Sequence, residues 1–194
     1  MAMKGKNCIA IATDMRMGFN QFSTISTSFN KVINPSSKTL IGFSGLATDI
    51  HTVSSTIKFH TNLYKLREER EIDAKALSHM TASLLYSKRF SPYLVEPIVA
   101  GLDKNNEPYL AGYDLIGCLS KCSDFAISGT ADRQLFGICE SFYKPDMDTD
   151  QLMETISQCM LAGLDRDALS GWGCTIYLLT PTQLITKKLK SRMD

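Results

Sequence analysis

The most constraining feature of this chain is the grouping of its apolar segments, with strand-like runs in neighbouring sets and helix-like runs in pairs between them. Residues 7–13 (NCIAIAT), 39–45 (TLIGFSG), 94–102 (LVEPIVAGL), 108–117 (PYLAGYDLIG), 124–129 (DFAISG), 173–180 (GCTIYLLT) and 184–189 (LITKKL) read as strands. Several are apolar at consecutive positions, the mark of a strand covered on both faces. Between the sets, Leu46, Ile50, Val53, Ile57 and Tyr64 recur at helical spacing, and Leu77, Met80 and Leu84 do so after Asp73, a residue suited to cap. A second pair follows: Leu135, Ile138 and Phe142, then Leu152, Ile156, Cys159 and Gly163 after Asp148. Strict strand–helix alternation would give a parallel sheet. Paired helices predict instead an α+β fold, a four-layer αββα sandwich of two antiparallel sheets covered by helix pairs, as one domain over residues 1–194.

Composition narrows the function. Lys and Arg number 21 against 20 Asp and Glu, so no electrostatic reason points to nucleic acid or an anionic membrane. The apolar run Cys8–Ala12 is too short for a signal peptide or a membrane span. The expected location is cytoplasm and nucleus, where the six cysteines stay reduced.

Residues 164–174, LDRDALSGWGC, place Asp165 and Asp167 around an arginine and Ser170 three residues further on. A serine triad there needs a histidine, yet His51, His60 and His79 all fall in predicted helices far upstream, and Ala168 stands where a nucleophile elbow has glycine. His51 and His60, nine residues apart, lie on opposite faces of a helix and cannot share a metal. Cys118 and Cys122 form a lone C-x-x-x-C, a weak zinc or redox signal beside an ordinary packing role. Trp172 between two glycines reads as a packing residue, and no phosphate-loop pattern occurs. The basic end KKLKSRMD reads as a solvated edge strand with a tail, or as a subunit contact. No metal or cofactor is called for.

Five separated pieces carry a resemblance: IATD (11–14), FNKV (29–32), FSGLATD (43–49), ISGTADRQLFG (127–137) and DRDALSGWG (165–173). In this order and spacing they resemble the proteasome beta subunits, which have an N-terminal-nucleophile hydrolase fold, and the similarity runs from end to end. In active relatives an N-terminal threonine attacks the peptide carbonyl with its own amine as base. A lysine beside its hydroxyl, held by an aspartate, corresponds to Lys31 and Asp14, and a backbone N–H forming the oxyanion hole corresponds to Gly45. The shell orienting the terminal amine corresponds to Ser128, Asp167 and Ser170.

The resemblance also has departures. The catalytic threonine of active relatives aligns upstream of Met1, and Met17-Gly18 replaces the Ala-Thr segment that pairs with substrate. The combination fits the family's non-catalytic members. It implies a structural subunit in stacked heptameric rings of alpha and beta subunits, reached by proteasome regulators indirectly, with residues 130–165 facing the other ring and Asp114 and Cys118 lining the substrate pocket of a neighbouring active subunit. The other readings are an active threonine peptidase with its nucleophile upstream, and a free-standing hydrolase using Ser170.

Overall fold

In a computed structural model, residues 1–20 and 23–193 are described. The elements are β1 (Ala2–Lys4), β2 (Ile9–Asp14), β3 (Met17–Phe19), β4 (Ser23–Ser26), β5 (Val32–Ser36), β6 (Thr39–Gly45), α1 (Ala47–Glu68), α2 (Ala74–Tyr86), β7 (Val95–Leu102), β8 (Pro108–Tyr113), β9 (Leu119–Lys121), β10 (Phe125–Ala126), α3 (Asp132–Phe142), α4 (Thr149–Leu164), β11 (Cys174–Leu179) and β12 (Leu184–Leu189). One antiparallel sheet has the order β10-β1-β2-β11-β12, the other β5-β6-β7-β8-β9, and β3 and β4 form a separate hairpin. The expected strand over 124–129 is cut to two residues, because Gly129 at φ 113° turns the chain away. The run 108–117 likewise stops at Tyr113, where Asp114 opens a turn.

Three apolar layers alternate with the four structural ones. Ile50, Val53 and Ile57 of α1 and Leu77 and Leu85 of α2 pack on Ile41, Phe43, Val95 and Val99 of the second sheet. Leu135 and Cys139 of α3 and Leu152, Ile156 and Cys159 of α4 pack on Ala10, Ala12, Ile176 and Leu178 of the first. Between the sheets lie Ile9, Ile11, Leu40, Ile98, Ala100, Leu102 and Leu110. The alternation along β2 is plain, for Ile9 and Ile11 face the opposite sheet while Ala10 and Ala12 face α3 and α4. Each large side chain buried this way contributes about 1.5–3 kcal/mol. Gly42 lets the sheets approach, since a Cβ there would stand 2.7 Å from the Ile11 Cδ1.

Two helix starts are set by the predicted aspartates. The Asp73 carboxylate accepts from Ala76 N at 2.7 Å. Asp148 accepts from Gln151 N at 2.8 Å while Gln151 accepts from Asp148 N at 3.3 Å, a reciprocal capping box. Capping of this kind contributes about 1 kcal/mol. Helix α1 lacks a side-chain cap; Asp49 in its first turn accepts from Leu94 N at 2.9 Å and ties the helix start to β7.

Candidate functional site

A cleft of about 550 Å³ opens between the ends of the two sheets. Its walls come from the end of β2, the β3–β4 hairpin, the β6–α1 turn, the segment after β10 and the loop after α4. Asp14, Lys31, Gly45, Ser128 and Ser170 all line it, so five of the six predicted centre residues converge, and Asp167 stands directly behind Ser170.

The Lys31 ammonium donates to Asp14 Oδ1, with both side chains largely buried. Asp14 Oδ2 accepts from Arg16 N at 3.2 Å and from Gly171 N at 3.4 Å. The carboxylate thus joins β2 to the loop after α4, and its charge is balanced where water has little access.

Asp167 forms a second knot. Its Oδ2 accepts from Thr130 Oγ1 at 2.6 Å and from Ser170 Oγ at 2.5 Å, and its Oδ1 from Leu169 N at 3.1 Å. Burial alone would push this carboxyl up; the donations from Ser170, Thr130 and Leu169, with the Arg16 charge nearby, outweigh it and hold the carboxyl below its ordinary value. Ser128 stands apart from this knot. It shares a hydrogen bond with Ser44 and donates to the Glu96 backbone oxygen at 3.0 Å and to Glu96 Oε2 at 3.3 Å. The trio named from sequence is therefore divided, and Thr130 occupies the place beside Asp167.

Gly45 ends β6 at φ 116°, and a Cβ there would lie 2.1 Å from the Leu94 carbonyl oxygen. Only glycine suits that close passage at positive φ. Arg16 was not singled out from sequence. It is buried, and its guanidinium donates to Leu169 O at 2.9 Å, to Thr24 Oγ1 at 3.0 Å and to Ser23 O at 3.2 Å, binding the hairpin to the Asp167 loop. An arginine two residues after a strand's terminal aspartate was the one available signal.

The remaining candidates lie elsewhere. Asp114 and Cys118 are exposed in the β8–β9 turn, where Asp114 Oδ1 accepts from Cys118 N at 2.7 Å and from Ile116 N at 3.1 Å. Packing does not account for Cys118, whose thiol faces solvent. The histidines are exposed on α1 and α2, across the sandwich from α4 and the Ser170 loop, so a Ser170–histidine pair is absent among the described residues. Trp172, expected to pack, is half-buried at φ 61°, and its buried Nε1 has no hydrogen-bond partner among the described residues. Among the described residues no group of three or more His, Cys, Asp or Glu is placed to hold a metal ion, and no helix is long and apolar enough to cross a membrane.

Two antiparallel sheets between helix pairs, with a Lys–Asp pair and a hydrogen-bonded aspartate at the open end, define a sandwich of the N-terminal-nucleophile hydrolase type. The chain belongs to the proteasome subunit family, whose model, described as "Proteasome subunit", matches residues 1–179. It is 50% identical over 195 positions to a protein of Dictyostelium discoideum named proteasome subunit beta type-3, covering all of this chain and 95% of that relative. Proteins of the same name from Drosophila melanogaster and Saccharomyces cerevisiae are 48% and 46% identical, again over the whole chain and covering 95% and 94% of their own lengths.

Proposed function

We propose that this chain is a non-catalytic, structural beta subunit of the 20S proteasome core. One observation carries the reading: the chain is similar over its whole length to proteins named proteasome subunit beta type-3. In the cleft the Lys31 ammonium is bound to Asp14. The neighbouring hydroxyls are committed, with Thr13 donating to Asp14 O at 3.1 Å, Ser44 and Ser128 paired beside Glu96, and Thr130 and Ser170 bound to Asp167.

In this role the Lys31–Asp14 and Asp167 knots hold the end of the sandwich rigid, and the subunit closes the proteolytic chamber and keeps active neighbours in register. Its partners are the other alpha and beta subunits of stacked heptameric rings, in cytoplasm and nucleus, with regulators engaging it indirectly. Asp114 and Cys118 line the pocket of an adjacent active subunit. Their exposure and the fixed turn geometry favour that use, because one carboxylate oxygen already anchors the turn and places the side chain.

The test is intact mass and N-terminal sequence of the subunit from its native assembly after treatment with an epoxyketone that captures terminal threonines. An unmodified chain in a particle whose other subunits are labelled supports the proposal. An adduct on this chain overturns it.

A further inference from the structure

We propose that the cleft at the open end of the sandwich is a reversible binding site for a small primary ammonium ion with an apolar body, its ammonium seated on Glu96, Ser44 and Ser128. The inference rests on the non-catalytic reading above in one respect, that a ligand held here is not consumed. The geometry and charge of the cleft carry the rest.

Strand register builds the seat. Ser44 lies opposite Glu96 in the β6–β7 ladder, so both side chains leave the second sheet on one face. Ser128 reaches the same spot from the first sheet, two residues after β10. All three line the cleft. Ser44 and Ser128 share a hydrogen bond, Ser44 is also placed to donate to the Glu96 backbone oxygen at 3.3 Å, and Ser128 to that oxygen at 3.0 Å and to Glu96 Oε2 at 3.3 Å. Two hydroxyl protons thus serve four contacts between oxygens. A hydroxyl has one donor and two acceptor lone pairs, and a carboxylate only acceptors, so the cluster holds more acceptors than it can satisfy. A primary ammonium brings three donors and no acceptor, which is the complement of this seat. A quaternary ammonium has no N–H to give, and an anion would add acceptors where they are already in excess.

Charge selects the same ligand. Lys31 is engaged by Asp14, and Arg16 lies near Asp167 while donating to Leu169, Thr24 and Ser23. Among the described residues Glu96 forms no ion pair. The cleft wall therefore keeps one carboxylate for which this chain supplies no cation. Hydrogen bonds from an ammonium to a carboxylate are about twice as strong as those between neutral groups.

Shape accounts for the apolar body. Glu96 is exposed, whereas Phe43, Ile50, Leu135, Met160 and Leu164, which line the same cleft, are buried. An ammonium on Glu96 keeps part of its hydration and escapes the desolvation cost of a buried charge. The body attached to it displaces water from apolar walls. A cleft of about 550 Å³ is of the size that small-molecule sites have, and an apolar lining with a few convergent polar groups is their common make-up.

The experiment titrates phenylbutylammonium into the full chain by calorimetry, beside phenylbutanol and phenylbutanoate, which keep the apolar body and change the head group. The expected result is saturable binding of the ammonium with a Kd of about 1 mM or below, binding of the alcohol at least about tenfold weaker, and none of the carboxylate. Added salt should weaken the ammonium arm alone. Hydrogen exchange should slow at residues 43–46 and 127–131. Glu96→Gln keeps the size of the side chain and an oxygen for Ser128, and should bring the ammonium down to the affinity of the alcohol at an unchanged unfolding midpoint. Ala47→Trp, on the cleft wall, should abolish binding of both; where it lowers the midpoint, Glu96→Gln decides alone. Equal affinity for the three head groups, ammonium binding indifferent to Glu96→Gln, lack of saturation, or protection confined to segments outside the cleft would overturn the proposal. Epoxyketone treatment separates this from the reading it rests on. An adduct on this chain in its native assembly defeats the non-catalytic reading, and a chain that takes neither adduct nor ammonium defeats the ligand site alone.

Discussion

Asp167 and Asp114 use the same local device with different reach. Each carboxylate folds back on the backbone following it, Asp167 onto Leu169 N at 3.1 Å and Asp114 onto Ile116 N at 3.1 Å. There the likeness ends. Asp167 is buried and also accepts from Thr130, 37 positions earlier in the chain, whereas Asp114 is exposed and both of its bonds stay within four residues. A local turn organises its own loop; the same turn with one long-range donor added becomes a joint between elements. Removing such a joint unpairs Thr130, Ser170 and Leu169 together, which costs more than exposing a turn to water.

The sharpest test of that contrast lies in the cleft knots. Replacing Lys31 with Ala leaves the Asp14 carboxylate without its counter-charge, and the expected loss is about 3–4 kcal/mol by urea unfolding of the purified chain. Exchanging both residues for apolar ones of similar size should recover much of it. Gly45→Ala follows, at about 3 kcal/mol, because the new Cβ at positive φ runs into the Leu94 carbonyl. Its unfolding midpoint in the same titration checks the value.

Asp167→Ala should cost about 2 kcal/mol, with faster hydrogen exchange in the 165–171 loop. This effect carries a pH signature. A carboxyl held low in the folded state lends stability that is complete above the unfolded value, near 3.9, and is lost as pH falls toward the folded value. The gap between the parent chain and Asp167→Ala should thus be constant from pH 5 to 8, on the order of the cost above, and narrow only in acid below about pH 4. Asp114→Ala is the smallest, under about 1 kcal/mol and local to the β8–β9 turn. If it equalled Asp167→Ala in cost, the contrast between local and long-range turns would be broken.

Legibility in the sequence followed physical range. Helix starts at Asp73 and Asp148 were readable because a cap is a contact across three residues. Long strands were readable because apolar runs record burial directly. Strands β1, β3 and β9 have three residues each and β4 four, too few to display a period. The β3–β4 hairpin adds a packing reason, for among the described residues its strands pair only with each other, and Phe19 and Ile25 are exposed.

Ser128 and Thr130 show the boundary between the two kinds of information. They are two residues apart, so a continuing strand would have put both on one face. The chain instead leaves β10 at Ala126 and reverses at Gly129, sending Ser128 to Glu96 and Thr130 to Asp167. Arg16 makes the same point, since its three side-chain partners lie in the hairpin and in a loop more than 150 residues away. By itself the sequence determined the class of most of the longer elements and the antiparallel four-layer plan, because apolar period and caps are short-range properties, while its resemblance to a known family pointed to most of the residues gathered in the cleft. Which hydroxyl serves which carboxylate only the tertiary structure decided, because that depends on where separate elements meet.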